Sequence, residues 1–132
     1  MKAFVVPDEG YINQSVVSLC SFFKYIHIDL IIYAEKGTDL SRVLAIVAKD
    51  LVEVRFVNFP QHTLFATVGG NRLMIDRSAV PVIAQRIKAL EEVSAETDCV
   101  LNFDLDTLFL GSLVPLLEEI TARVQDRHFR SQ

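Results

Sequence analysis

Two carboxylates stand one residue apart, Asp104 and Asp106, in the stretch CVLNFDLDTLFLGSL (99–113). One apolar run stops at the first of them, and another begins just after the second. Spaced i and i+2, both side chains can turn toward one point where the backbone bends. Oxygen-only donors suit Mg²⁺ or Mn²⁺, above all when a diphosphate brings the remaining oxygens. A solvated turn with two ordinary aspartates gives the same short string, since a bare D-x-D is common. The elements around the pair have to separate the two.

A strand must deliver Asp104, and a sheet must hold that strand. KAFVV (2–6) has the composition of a buried strand, closed by PDEG. Ile12, Val16, Leu19, Cys20, Phe23 and Ile26 recur at helical spacing and predict a helix from Tyr11 to Tyr25. HIDLIIYA (27–34) is β-branched and predicts a second strand. Asp39 can cap a helix whose Leu40, Val43, Leu44 and Val47 form one face. VEVRFVNF (52–59) predicts a third strand, ended by Pro60. Residues 61–77 hold two short runs around Gly69 and Gly70, which fit a hairpin or a plain loop. No phosphate-loop lysine follows those glycines. Ser78 can cap a helix with Pro81 in its first turn and Val80, Ile83, Ile87, Leu90 and Val93 as its buried face. Strand CVLNF (99–103) then leads into the aspartates. Ser112 can cap a last helix carrying Leu113, Leu116, Leu117, Ile120 and Val124 on one side. Strands alternating with helices predict an α/β fold, a mostly parallel sheet flanked by helices, in a single domain over 1–132.

The bulk numbers agree with a packed domain. The chain has 132 residues, 51% hydrophobic and 23% charged, which excludes a disordered polypeptide. Its net charge of −4 argues against nucleic acid or an anionic membrane as partner. No apolar run nears the roughly 20 residues of a membrane-spanning helix, and Pro7, Asp8 and Glu9 end the first one too early for a signal peptide. Cys20 and Cys99 sit in apolar contexts far apart and predict two buried thiols in a reducing compartment, so a cytoplasmic location is expected. His27 and His62 have no Cys, Asp or Glu at ligand spacing. Phe22, Phe23, Phe56, Phe59 and Phe65 are expected in or at the edge of the core.

The longer pattern NFDLDTLFLGSL resembles the D-x-D region of sugar-nucleotide-dependent glycosyltransferases of the GT-A fold, most closely family 8, the glycogenins and bacterial lipopolysaccharide glycosyltransferases. The N-terminal FVVPDEGYINQSVVSLCSF is similar to the strand, polar loop and helix that wrap the nucleoside in that family. The resemblance implies a GT-A domain that binds a UDP-sugar through Mn²⁺ (or Mg²⁺) on Asp104 and Asp106. It implies transfer of the sugar, with retention, to a saccharide or glycoconjugate acceptor. It makes Val6, Asp8 and Tyr11 candidates for nucleotide contacts; Asp8 fits a helix cap as well, and Tyr11 a helix-start residue packed on its neighbours. Family members also use basic residues on the helix before the D-x-D strand. Here these are Arg77, Arg86 and Lys88; Arg86 and Lys88, two apart, face different ways, and Arg77 and Lys88 are the candidates kept.

The resemblance covers nearly the whole chain but not the whole family domain, so the chain is expected to be the N-terminal part of a GT-A domain or a shortened relative. The third metal ligand is not carried over to His128, which lacks the family's flanking pattern. FDLDTL also resembles the first motif of haloacid dehalogenase-like phosphatases, whose leading Asp is a nucleophile. There the Thr or Val comes two places after the second Asp, where this chain has Leu108, and that motif opens its domain. A non-catalytic nucleotide-sugar-binding or interaction module, with a surface that favours a homo-oligomer, is the remaining alternative.

Overall fold

Period-two alternation in the central strands sorts the core into two faces. In the computed structural model the described residues are 1–8, 10, 12–60, 65–74 and 80–130. Strand β1 (Lys2–Val5) and strand β2 (Asp29–Glu35) bury side chains on both sides. Ala3, Val5, Leu30, Ile32 and Ala34 point to the face covered by Leu19 and Phe22 of helix α1 (Ile12–Tyr25) and by Val43 of the short helix α2 (Ser41–Leu44). Phe4, Ile31 and Tyr33 point the other way, against Ala89 and Val93 of helix α3 (Val80–Ser94). Burial on both faces explains why these strands carry unbroken apolar runs.

Strand β3 (Val52–Val57) pairs with β2, β2 with β1, and β1 with β6 (Val100–Asn102), every pair parallel. The order is β3-β2-β1-β6, an all-parallel four-stranded sheet flanked by helices and compatible with a Rossmann-like fold. Strands β4 (Phe65–Val68) and β5 (Asn71–Met74) form a separate antiparallel pair. Gly69 (φ +58°) and Gly70 (φ +81°) join them, so the segment left open between hairpin and loop is a hairpin. A two-residue turn with both central φ positive is the one that matches strand twist. Helix α4 (Val114–Arg130) closes the chain, with the Val114 amide donating to Ser112 Oγ at 3.2 Å. Among the described residues no helix is long and apolar enough to cross a membrane.

Several expected faces shift. On α3 the sheet-facing side is Gln85, Ala89 and Val93, while Ile83, Ile87 and Leu90 are exposed. Small Ala89 lets the helix approach the sheet closely, and the exposed Glu92 accepts a hydrogen bond from Tyr33 of the sheet. On α1, Ser15, Ser18, Leu19, Ser21 and Phe22 are buried, and Cys20 is exposed; Cys99 is half-buried, so the expectation of two buried thiols fails. Phe56 lies on edge strand β3 and is exposed, against the expectation of a core place, whereas His27 is at the surface as expected. Phe65 and His62 carry expectations that lie outside the described side chains. The second helix is far shorter than its apolar face suggested, although Leu40, Val43 and Val47 are buried as expected and the Asp39 carboxylate accepts the Ser41 amide at 2.9 Å.

A polar clasp fixes α3 to the sheet. Tyr33 buries its ring edge-on to Phe4, so its hydroxyl needs partners. It donates to Glu92 Oε2 and accepts from Arg55 Nη1, both at 2.9 Å. Arg55 Nη2 also reaches Glu96 at 2.8 Å and Glu53 at 3.1 Å, and Lys2 reaches Glu96 at 3.2 Å. Burial, reinforced by the Glu92 carboxylate, pushes the Tyr33 hydroxyl up to about 12. The folded protein therefore holds this proton more tightly than the unfolded chain. Its contribution is complete below pH 10 and is lost as pH rises toward 12. Arg55 and then Lys2 hold the Glu96 carboxyl below its ordinary value of 4.5, so that contribution is present above pH 4.5 and lost as pH falls. Denaturant titrations at stepped pH are expected to show Tyr33→Phe about 1 kcal/mol less stable at neutral pH but spared the wild-type decline between pH 10 and 12. Parallel curves for the two proteins would refute the clasp.

Candidate functional site

The order of the sheet reverses between β1 and β6. From β1 the chain steps outward to β2 and β3, then returns to lay β6 on the other side of β1. At such a switch point the loops after the two strands part and leave a crevice beyond their carboxyl ends. The residues singled out from sequence fall here: Val6 and Asp8 follow β1, and Asp104 and Asp106 follow β6.

A cavity of about 340 Å³ occupies the crevice. Val6, Asp8, Asp104 and Asp106 line it, together with Gln14 from α1, Leu105, and Val82, Ile83 and Arg86 from α3. The volume is in the range of small-ligand sites. Its walls are apolar on the α3 side and acidic at the strand ends, with Arg86 as the cation among the described lining residues.

Local folding explains how the aspartates are presented. The Thr107 amide donates to the Asp104 carbonyl at 3.0 Å, so 104–107 is a turn with Leu105 and Asp106 at its centre. Two phenylalanines anchor this turn from either side. Phe103 stacks on Phe22 of α1 at 4.9 Å, and Phe109 meets Phe22 at 5.4 Å and Phe103 at 5.0 Å, both edge-on. The Phe109 amide donates to Ser21 Oγ at 3.0 Å. Asn102 Nδ2 donates to the Phe4 carbonyl at 3.1 Å, fastening the end of β6 to β1. Asp8 is steadied by its own loop, where the Gly10 amide donates to Asp8 Oδ1 at 3.3 Å. The aspartates are thus exposed at their carboxylates and held rigidly at their backbone.

Arg86 Nη2 lies 2.9 Å from Asp104 Oδ1. Its Nε is buried and has no hydrogen-bond partner among the described residues. A half-buried guanidinium lining a cavity is suited to an anion such as phosphate.

Among the described residues no group of three or more His, Cys, Asp or Glu stands close enough to hold a metal with protein ligands alone. The donors present at the turn are two carboxylates. That set fits a hard divalent cation such as Mg²⁺ or Mn²⁺, which binds through one or two carboxylates and takes its other oxygens from phosphates and water.

Of the other sequence candidates, Lys88 is exposed on α3 and does not line the cavity, while Tyr11 and Arg77 lie outside the described residues. Gln14 was missed, and Arg86 was named but set aside in favour of Arg77 and Lys88. Arg86 shares the stripe of Val82, Ala89 and Val93, spaced four, seven and eleven residues from Val82, which is the sheet-facing side. Giving weight to small Ala89 over the larger Ile83, Ile87 and Leu90 turns Arg86 toward the strand ends. Nothing in the local sequence marks Gln14. No family model, no curated protein and no solved structure matches the chain.

Proposed function

We propose that the chain is the sugar-nucleotide-binding part of a GT-A-type glycosyltransferase similar to family 8, using a UDP-sugar donor and a saccharide or glycoconjugate acceptor, with retention. One observation carries this reading. Asp8, Arg86, Asp104 and Asp106, drawn from three separate parts of the chain, converge on a single cavity at the switch point of a parallel sheet. Metal specificity, sugar class and stereochemistry rest on the sequence resemblance.

Asp104 and Asp106 are the residues that would hold Mn²⁺ or Mg²⁺. A cation bound there would supply charge neutralisation to a departing diphosphate. Arg86 contributes fork-shaped donors to the same anion, and its α3 backbone fixes their position. The apolar wall of Val6, Val82 and Ile83 offers a surface for the flat faces of base or sugar. Asp8, steadied by the Gly10 amide, keeps one carboxylate oxygen for a ribose hydroxyl or a base N–H.

Calorimetric titration of UDP into the folded chain, with Mn²⁺ and then with chelator, tests this directly. Saturable binding that requires the metal is expected. Absence of binding under both conditions would leave the D-x-D a plain turn and favour an interaction module.

A further inference from the structure

Helix α4 is apolar on a side that the domain does not cover. Among its described side chains only Leu117 is buried. Leu116, Ile120 and Val124 are 52%, 41% and 45% exposed and, spaced four apart, form one continuous ridge. An apolar ridge this regular on a long, otherwise charged helix marks a contact surface.

The charges beside the ridge say what fits it. Glu119 and Arg123 flank Ile120 on one side, each well exposed, and bridge to one another along the helix. A second α4 laid antiparallel, with the two-fold axis at Ile120, sets Leu116 against Val124 of the other copy and Ile120 against itself. A two-fold axis of this kind brings the same flank of both helices together. Glu119 of each copy then lies within reach of Arg123 of the other, twice over. Antiparallel packing also opposes the two helix dipoles. Ridges spaced four apart interlock at a crossing of about −50°, which concentrates contact on the turn around Ile120, where these charges lie.

We propose that α4 is a dimerisation element whose occupant is α4 of a second copy of this chain. The contact uses none of the residues that line the cavity.

Sedimentation velocity over a concentration series tests it. The wild-type chain is expected to move from monomer to dimer as concentration rises, and Ile120→Glu to stay monomeric. Glu119→Arg and Arg123→Glu, each alone, turn both cross-contacts repulsive and are expected to weaken the dimer about tenfold. Mixed in equal amounts, the two single variants are expected to pair with each other at wild-type strength, because one chain then offers only cations on that flank and the other only anions. Mixing cannot repair any effect within one helix. Circular dichroism checks that each variant keeps wild-type helix content. A wild-type chain that stays monomeric throughout would overturn the proposal. So would a dimer that survives Ile120→Glu, or a mixture no tighter than its components.

Discussion

Phe22→Ala is expected to cost about 3–5 kcal/mol of stability and to weaken ligand binding at a cavity that Phe22 does not line. The side chain is fully buried at the centre of an aromatic cluster, stacked on Phe103 and edge-on to Phe109. Those two residues bracket the D-x-D turn. Removing the ring leaves a void beneath both ends of the turn, and neither phenylalanine can fill it without moving its own backbone. A domain of this size has roughly 5–15 kcal/mol in total, so the loss is a large share of it. Urea denaturation gives the first number. Phe22→Leu keeps most of the volume and is expected to cost less than about 1.5 kcal/mol. It should stay folded and still show reduced UDP affinity, because the turn has lost its stacked partner. Leu110→Ala is the control, since Leu110 is 81% exposed. A Phe22→Ala protein as stable as that control would show that the cluster does not hold the turn.

How far the sequence showed this arrangement depended on what each signal measures. The central strands were plain because burial on both faces gives short, largely apolar, β-branched runs bounded by turn residues. Their parallel pairing followed from the helices between them. The D-x-D was found because it interrupts such a run. The helices were located correctly, α2 apart in its length, but the buried face was misjudged on α3, where Ile83, Ile87 and Leu90 are exposed. On α4 the apolar side was found, and its Leu116, Ile120 and Val124 are exposed. Periodicity finds an apolar stripe; it does not say whether that stripe meets this chain's own core or something outside it. On α3 the deciding contacts were long-range. Glu92 meets the hydroxyl of Tyr33, and Ala89 meets the sheet, and neither is a property of the helix alone. Arg86 was passed over for the same reason, since its place in the site depends on which face of α3 turns inward.

The roles assigned to Asp104 and Arg86 predict losses that differ in kind. In Mn²⁺, UDP binding by Asp104→Ala is expected to fall toward the level the wild type shows in chelator, because the carboxylate reaches the diphosphate through the cation. Arg86→Ala removes a charged donor from the anion, and charge-assisted bonds contribute about 1.5–3 kcal/mol each. Affinity for UDP in Mn²⁺ should therefore drop about 10- to 100-fold. For Mn²⁺ alone the sign reverses. Arg86 now occupies Asp104 Oδ1 at 2.9 Å, so a cation must displace the guanidinium to use that oxygen. Without it, Mn²⁺ alone should bind Arg86→Ala more tightly than wild type, and more weakly to Asp104→Ala. The pair is partly exposed, so the gain is a few-fold at most. Arg86→Lys keeps the charge but not the planar fork, and is expected to recover only part of the UDP affinity. Equal losses from Asp104→Ala and Arg86→Ala, unchanged by chelator, would mean that the two residues act only as an ion pair between α3 and the turn. Opposite shifts in Mn²⁺ affinity, joined to a shared loss of UDP, are what a donor site with a competing resident cation must give.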